Sequence, residues 1–165
     1  MSTTPKKTLL ELVIGLYDFH TKLFYNVIVD ITDKDAANRM GTKANHIGWL
    51  AGSLVQERFE LAKILGLNLK QTSDHLFTGH KGIQDNILYP SLEEYRKDWD
   101  IISPKLKQAM LDASEEKWNE PEPWGMGPDL TLFDGFTFSM DRESYCIGQI
   151  ALYRRLLGYP AMKYD

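Results

Sequence analysis

Apolar side chains recur every three or four residues along four stretches of this chain, which is the spacing of one face of an α-helix. The first stretch predicts a helix from about Lys7 to Val29. A cap at Thr4 followed by Pro5 in the first turn is typical of such a start. The repeating positions are Leu9, Leu12, Val13, Leu16, Phe19, His20, Leu23, Phe24, Val27 and Ile28.

The second stretch predicts a helix from about Thr42 to Leu65. A polar connection, residues 68–86, follows it and predicts a long loop with at most a short turn of helix. This loop contains His75 and His80, whose spacing of five in a polar segment is poor evidence for a metal site.

The third and fourth helices have clear boundary signals. Ser91 and Glu94 have the form of a capping box, which predicts that the third helix begins there. Pro104 lies inside the third apolar pattern and predicts a kink or a split. The fourth pattern predicts a helix from about Thr131 to Gly158.

These four patterns, without any alternating strand pattern, predict an all-α protein. Helices of this length are expected to pack as a four-helix bundle, with a long connection between helices 2 and 3. That connection leaves the order of the helices open. The length of 165 residues fits one domain spanning residues 1–165.

Composition narrows the classes of function. The net charge of −4, from 19 basic and 23 acidic residues, lacks the basic excess expected of a nucleic-acid-binding protein. One cysteine cannot form an internal disulfide, which favours a reducing compartment. No apolar run approaches the roughly 20 residues that span a membrane, so we expect a cytoplasmic protein.

Two segments carry a resemblance to a known family. Residues 45–52 read NHIGWLAG, and residues 142–150 read RESYCIGQI before LYRRLLG at residues 152–158. This chain resembles the DinB/YfiT-like family, in which a histidine-bearing second helix is combined with an HExYHxGQ motif and an LRRLLG-type end on the fourth. Residues 83–94, which lead into the third helix, are also similar to the family.

The resemblance implies a DinB-like four-helix bundle with a metal site. In the family, one histidine from helix 2 and two from helix 4 bind a divalent metal, which some members use to transfer a low-molecular-weight thiol. The corresponding positions here are His46, Arg142 and Cys146. Arginine carries no lone pair for a metal and opposes a cation, so the resemblance implies a degenerate site.

Three interpretations of this trio stay open. In the first it is a structural polar patch, in which Arg142 pairs with Glu57 or Glu143 and Cys146 is buried. In the second, Arg142 and His46 lower the pKa of Cys146 and make it a reactive thiol.

The third interpretation keeps a metal, with zinc or nickel as the candidate ion. His46 and Cys146 would then be joined by Asp18 or His20 from the first helix. A lone histidine on an apolar helix face, such as His20, is more often a hydrogen-bonded core residue.

The leading functional prediction is a DinB-like protein whose cleft binds a small molecule. The expected ligand-binding residues are His46, Arg142, Cys146, Tyr145 and Gln149, with the Arg142 guanidinium able to anchor an anion. The alternatives are a divalent-metal-dependent thiol S-transferase-like enzyme with an atypical site, or a non-catalytic homodimeric stress-response protein. No nucleic-acid or membrane partner is expected.

Overall fold

A computed structural model describes residues 8–165 and shows an all-helical chain over that range, which confirms the predicted all-α class. A short 3₁₀ helix spans Asp74–Leu76, and the pairing of Pro121 with Thr131 is an isolated β-bridge. The α-helices are α1 (Leu9–Ile28), α2 (Asp33–Ala36), α3 (Ile47–Ile64), α4 (Leu92–Asp112), α5 (Glu115–Trp118) and α6 (Leu132–Leu156).

Side-chain caps fix where the long helices begin. The predicted capping box of Ser91 and Glu94 is confirmed at the start of α4, and Thr131 caps α6 in the same way. The predicted cap at Thr4 with Pro5 lies outside the described residues. Thr8 caps α1, and its side chain accepts a hydrogen bond from the Glu11 amide.

The structure corrects one predicted helix start and excludes a split at one proline. The second long helix begins at Ile47 and not near Thr42, because His46 has extended backbone geometry and caps the helix with its side chain. The third long helix is not split at Pro104, since α4 runs through that residue to Asp112. The predicted short turn of helix in the polar loop is confirmed by Asp74–Leu76.

The four long helices pack around a common core, and their side-chain contacts fix their directions. His20 contacts Glu143, and Arg154 donates to the Val27 carbonyl, so α1 and α6 run the same way. Helix α3 is antiparallel to α6 and parallel to α4. Parallel neighbours cannot be joined by a tight turn, which is why the connection from α3 to α4 is long.

The buried apolar side chains form one cluster between these helices. Its largest fully buried members include Trp99, Tyr17, Tyr95, Phe24 and Phe136. No helix among residues 8–165 is long and apolar enough to cross a membrane.

Candidate functional site

Two ion pairs join α3 to α6, and they involve consecutive residues on each helix. Glu57 and Arg58 follow one another on α3, and Arg142 and Glu143 do so on α6. Consecutive helical residues point about 100° apart. One pair therefore points into the core and the other towards the edge of the contact.

The core pair is Arg58 with Glu143, and both side chains are completely buried. Arg58 donates from Nε and Nη2 to the two carboxylate oxygens, at 2.6 and 2.9 Å. Its Nη1 donates to the hydroxyls of Thr21 and Ser103, at 2.7 and 2.9 Å.

Two aromatic rings enclose the same guanidinium. Its carbon lies 3.8 Å from the ring centre of Tyr17 and 3.6 Å from that of Trp99. Burial works against the charge of Glu143, but the charge and hydrogen bonds of Arg58 outweigh it and hold the pKa of Glu143 below its ordinary value. This arrangement satisfies the buried charges and is typical of a structural element.

The outer pair is Arg142 with Glu57, which confirms one of the two predicted partners of Arg142. Nη1 of Arg142 lies 2.5 Å from Glu57 Oε2, and Nη2 donates to the hydroxyl of Ser53. The side chains are 28% and 16% exposed. Burial raises the pKa of Glu57 to about 7, even though the Arg142 cation lowers it. A carboxyl group that titrates near neutrality is common at functional sites.

This outer pair lies on the wall of a cavity of about 370 Å³. The cavity lies between α3, α6 and two loops, and its volume is within the range of small-molecule sites. Its lining residues are Trp49, Ser53, Gln56, Glu57, Glu60, Leu61, Phe77, His80, Lys81, Trp124, Met126, Gly135, Phe138, Ser139 and Arg142. We call the space that these residues line the aromatic cavity.

A loop before α6 brings Trp124 to the aromatic cavity. The buried carboxylate of Glu122 accepts hydrogen bonds from the amides of Trp124, Met126 and Gly127 at 2.5, 2.5 and 3.2 Å. The Trp124 ring lies against Gly135, where an added Cβ would come within 2.1 Å of the ring. The loop is therefore held by a side chain, and its tryptophan fits only because α6 has no side chain at that position.

One polar group on the cavity wall lacks a partner. The indole Nε1 of Trp49 is buried and has no hydrogen-bond partner among residues 8–165. Trp49 also lines a second, more open depression of about 610 Å³ beside Arg142. A buried donor without a partner costs about 1–3 kcal/mol, and since this nitrogen has almost no accessible surface it faces the protein interior.

The structure brings four of the five predicted ligand-binding residues together. Arg142, Cys146, Tyr145 and Gln149 all line the open depression, which shares Trp49, Phe138 and Arg142 with the aromatic cavity. The fifth, His46, lines neither space.

His46 is the N-cap of α3. Its Nδ1 accepts a hydrogen bond from the Trp49 amide at 3.0 Å, and its ring contacts Tyr89 edge-on. Burial, followed by the nearby Arg39 charge, lowers the pKa of His46. The neutral form that an acceptor nitrogen requires is therefore favoured.

Cys146 does not have the lowered pKa expected of a reactive thiol. The side chain is 3% exposed, and burial raises the pKa of its thiol although Arg142 works in the opposite direction. The thiolate interpretation is corrected on this point, because desolvation of the sulfur exceeds the attraction of one nearby cation.

The two residues of α1 considered as additional metal ligands have other neighbours. His20 is buried beside Glu143, with Nδ1 3.3 Å from Oε2 but outside hydrogen-bonding geometry, and Asp18 pairs with Lys107. Among residues 8–165, no group of three or more His, Cys, Asp or Glu side chains is placed to hold a metal ion.

Several cavity residues carried little signal in the sequence. Trp124 lies in a loop rich in proline and glycine, and Phe77 and His80 lie in the polar connection after α3. Glu60 looks like a solvated helix charge. The spacing of Trp49, Ser53, Gln56 and Glu60 at three and four residues along α3 is the one pattern that could have linked them.

No protein-family model matches this sequence, and no curated protein matches it either. The solved structures that resemble the chain include a crystal structure of a conserved protein from Enterococcus faecalis. The TM-score is 0.68, with 15% sequence identity over 92% of this chain and 98% of that one. At this identity the likeness shows a shared fold and nothing about activity.

Proposed function

We propose that this protein is a small-molecule-binding protein with a four-helix bundle of the DinB/YfiT type. The binding site is the aromatic cavity, with Arg142 and Glu57 on its wall. The resemblance of the α3 and α6 segments to that family supports the bundle type.

The observation that carries the proposal is the weak pairing of Glu57 beside a largely apolar, partly open cavity. Glu57 receives one hydrogen bond from Arg142 and some support from the Ser139 hydroxyl, whereas Glu143 receives two hydrogen bonds from Arg58. Its raised pKa reports the desolvation that this leaves uncompensated. A ligand that donates a hydrogen bond to Glu57 offsets that cost.

A fragment screen by ligand-detected NMR tests this proposal directly. We expect hits that bind wild-type protein and are lost in Ser139→Leu, which places a larger side chain on the cavity wall. Thr137→Leu is the matched control, since Thr137 is exposed on the same helix. Hits that bind both variants equally, or a screen without any hit, would contradict the proposal.

A second candidate function is supported by a separate surface. Leu9, Leu12, Leu16 and Phe19 are exposed on α1, with exposed fractions of 71%, 53%, 42% and 42%. Their spacing of three, four and three residues is that of a helix-pairing seam. We infer that this stripe supports association of two copies, as in a homodimeric, non-catalytic protein.

Light scattering tests this second candidate. Wild-type protein is expected to have the mass of a dimer, and Leu12→Lys with Leu16→Lys is expected to convert it to a monomer that remains folded by circular dichroism. A wild-type monomer at high concentration would rule the association out.

A further inference from the structure

Two carboxylates lie one helical turn apart on the α3 wall of the aromatic cavity. Glu57 and Glu60 are three residues apart, so they share a face of the helix. Glu57 accepts from Arg142 through Oε2, and Glu60 accepts from Gln56 Nε2 at 3.0 Å. A carboxylate offers about four acceptor positions, so both groups can accept further hydrogen bonds.

Aromatic rings from four separate elements line the same space. Trp49 comes from α3, Phe138 from α6, and Phe77 and Trp124 from the two loops. The face of an aromatic ring carries negative partial charge and attracts cations, and Trp does so most strongly. Carboxylates beside such rings form a setting that favours a positive group with an apolar body.

The cations on the cavity wall are already engaged. Arg142 donates to Glu57 and Ser53, and Lys81 donates to the His75 carbonyl at 2.9 Å from an exposed position. An incoming anion would also have to approach Glu57 and Glu60. Arg142 and Glu57 offset each other's charge, and the charge of the exposed Lys81 is screened by solvent. The half-buried Glu60 is therefore the charge left on the cavity wall to attract a cation.

We infer that the aromatic cavity takes an organic amine in its protonated form. The ammonium group donates to the two carboxylates, and the apolar part of the ligand packs among the rings. This inference rests on the proposed small-molecule function and names the chemical class of its ligand.

Binding of such a ligand is coupled to protons. The charged or titratable groups around Glu57 are Glu60 on α3, Arg142 and Glu143 on α6, and His80 and Lys81 on the cavity loop. An ammonium group favours the ionised form of Glu57 and lowers the pKa of about 7 that it has in the free protein. Amine binding therefore releases a proton near neutral pH and strengthens as the pH rises.

Three probes of similar size separate the classes of ligand. Phenethylamine, phenethyl alcohol and phenylacetate carry a positive, a neutral and a negative group on the same ring. In calorimetric titrations at pH 8, we expect the amine to bind about tenfold more tightly than the alcohol. The affinity of the amine is expected to fall roughly fivefold to tenfold at pH 6, where Glu57 is mostly protonated.

Variants of Glu57 and Glu60 test whether these carboxylates cause the preference for the amine. Glu60→Gln is expected to weaken amine binding severalfold while leaving the alcohol unchanged. Glu57→Gln alone would leave Arg142 without its partner, so the double variant Glu57→Gln with Arg142→Gln is measured beside it. Glu115→Gln, on the exposed surface of α5, is the matched control and should bind like wild type.

The outcomes separate a wrong ligand class from the absence of a binding site. Tightest binding by phenylacetate, lost in Arg142→Gln, would overturn the choice of an amine and keep the small-molecule site. Equal binding of all three probes would overturn it as well. If neither these probes nor any member of the fragment library binds, the proposed function fails and this inference fails with it.

Discussion

The two ion pairs between α3 and α6 differ in how completely their charges are satisfied. In the core pair, Glu143 receives two hydrogen bonds from a guanidinium that is itself held by two hydroxyls and two rings. In the outer pair, Glu57 receives one bond from an arginine that is 28% exposed. The pKa of Glu143 is lowered and that of Glu57 is raised.

The opposite shifts show that burial by itself does not decide the charge state of a carboxyl group. Desolvation makes the largest single contribution at both sites and raises the pKa of each carboxyl group. Two hydrogen bonds from a buried guanidinium reverse the sign at Glu143. One hydrogen bond from Arg142 together with the Ser139 hydroxyl does not do so at Glu57. A complete network stabilises one packing of the helices, whereas an incomplete one leaves groups that a ligand can satisfy.

Removing the arginine of each pair tests this comparison most strongly. Arg58→Met leaves the Glu143 charge buried without a partner and should lower the free energy of unfolding by about 3–5 kcal/mol. Arg142→Met is the matched control and should cost about 1 kcal/mol or less at pH 6, because Glu57 can take up a proton. Urea unfolding of both variants measures the two changes.

Equal losses in the two variants would contradict the distinction between the pairs. A second check is the double variant Arg58→Met with Glu143→Leu, which removes both buried charges. It should be more stable than Arg58→Met alone, since replacing a whole buried pair by apolar groups is often close to neutral.

The pH dependence of stability separates the pairs by sign. The pKa of Glu57 is about 7 in the folded protein against an ordinary value of 4.5, so between these values the unfolded state releases its proton first. This carboxyl group therefore favours unfolding increasingly as the pH rises from 4.5 to 7, by roughly 2–3 kcal/mol in total. Unfolding of wild type against Glu57→Gln across this range measures the difference.

Glu143 should behave in the opposite way. Its pKa is lowered in the folded protein, so the stability it contributes is present above the unfolded pKa and is lost as the pH falls through the folded one.

The difference in free energy of unfolding between wild type and Glu57→Gln is the decisive quantity for Glu57. If it stays constant from pH 4.5 to 7, Glu57 is not desolvated as described.

Two glycines of α6 give the smallest expected effects. Gly135→Ala pushes a Cβ into the Trp124 ring and should cost about 1–3 kcal/mol while changing the tryptophan fluorescence. Gly148→Ala meets no atom within 4 Å and should stabilise the helix by up to about 1 kcal/mol. Similar effects of the two changes would show that Trp124 does not lie against α6.

Much of the fold follows from the local pattern of residues. The apolar spacing predicts all four long helices, and the capping box at Ser91 predicts the start of α4 because both partners lie within one turn. The same pattern predicts a start of α3 near Thr42, five residues before the observed one at Ile47. His46 caps that helix with its ring nitrogen, and histidine is not among the usual capping residues.

The candidate site was predicted only in part. Arg142, Cys146, Tyr145 and Gln149 share one face of a helix, so a spacing argument groups them correctly. The aromatic cavity adds residues from two loops, and no local spacing connects Phe77 and Trp124 with α3. The pKa of Cys146 also depends on burial, which neighbouring charges in the sequence do not reveal.

The apolar spacing along the chain is enough to predict the helical class and the positions of the four long helices. These properties depend on residues within a few turns of one another. The tertiary structure alone decided that Arg142 pairs with Glu57 and that Arg58 pairs with Glu143. The sequence allows either Glu57 or Glu143 as the partner of Arg142, because a carboxylate attracts any nearby cation. Only the packing of α3 against α6 decides which arginine each carboxylate pairs with.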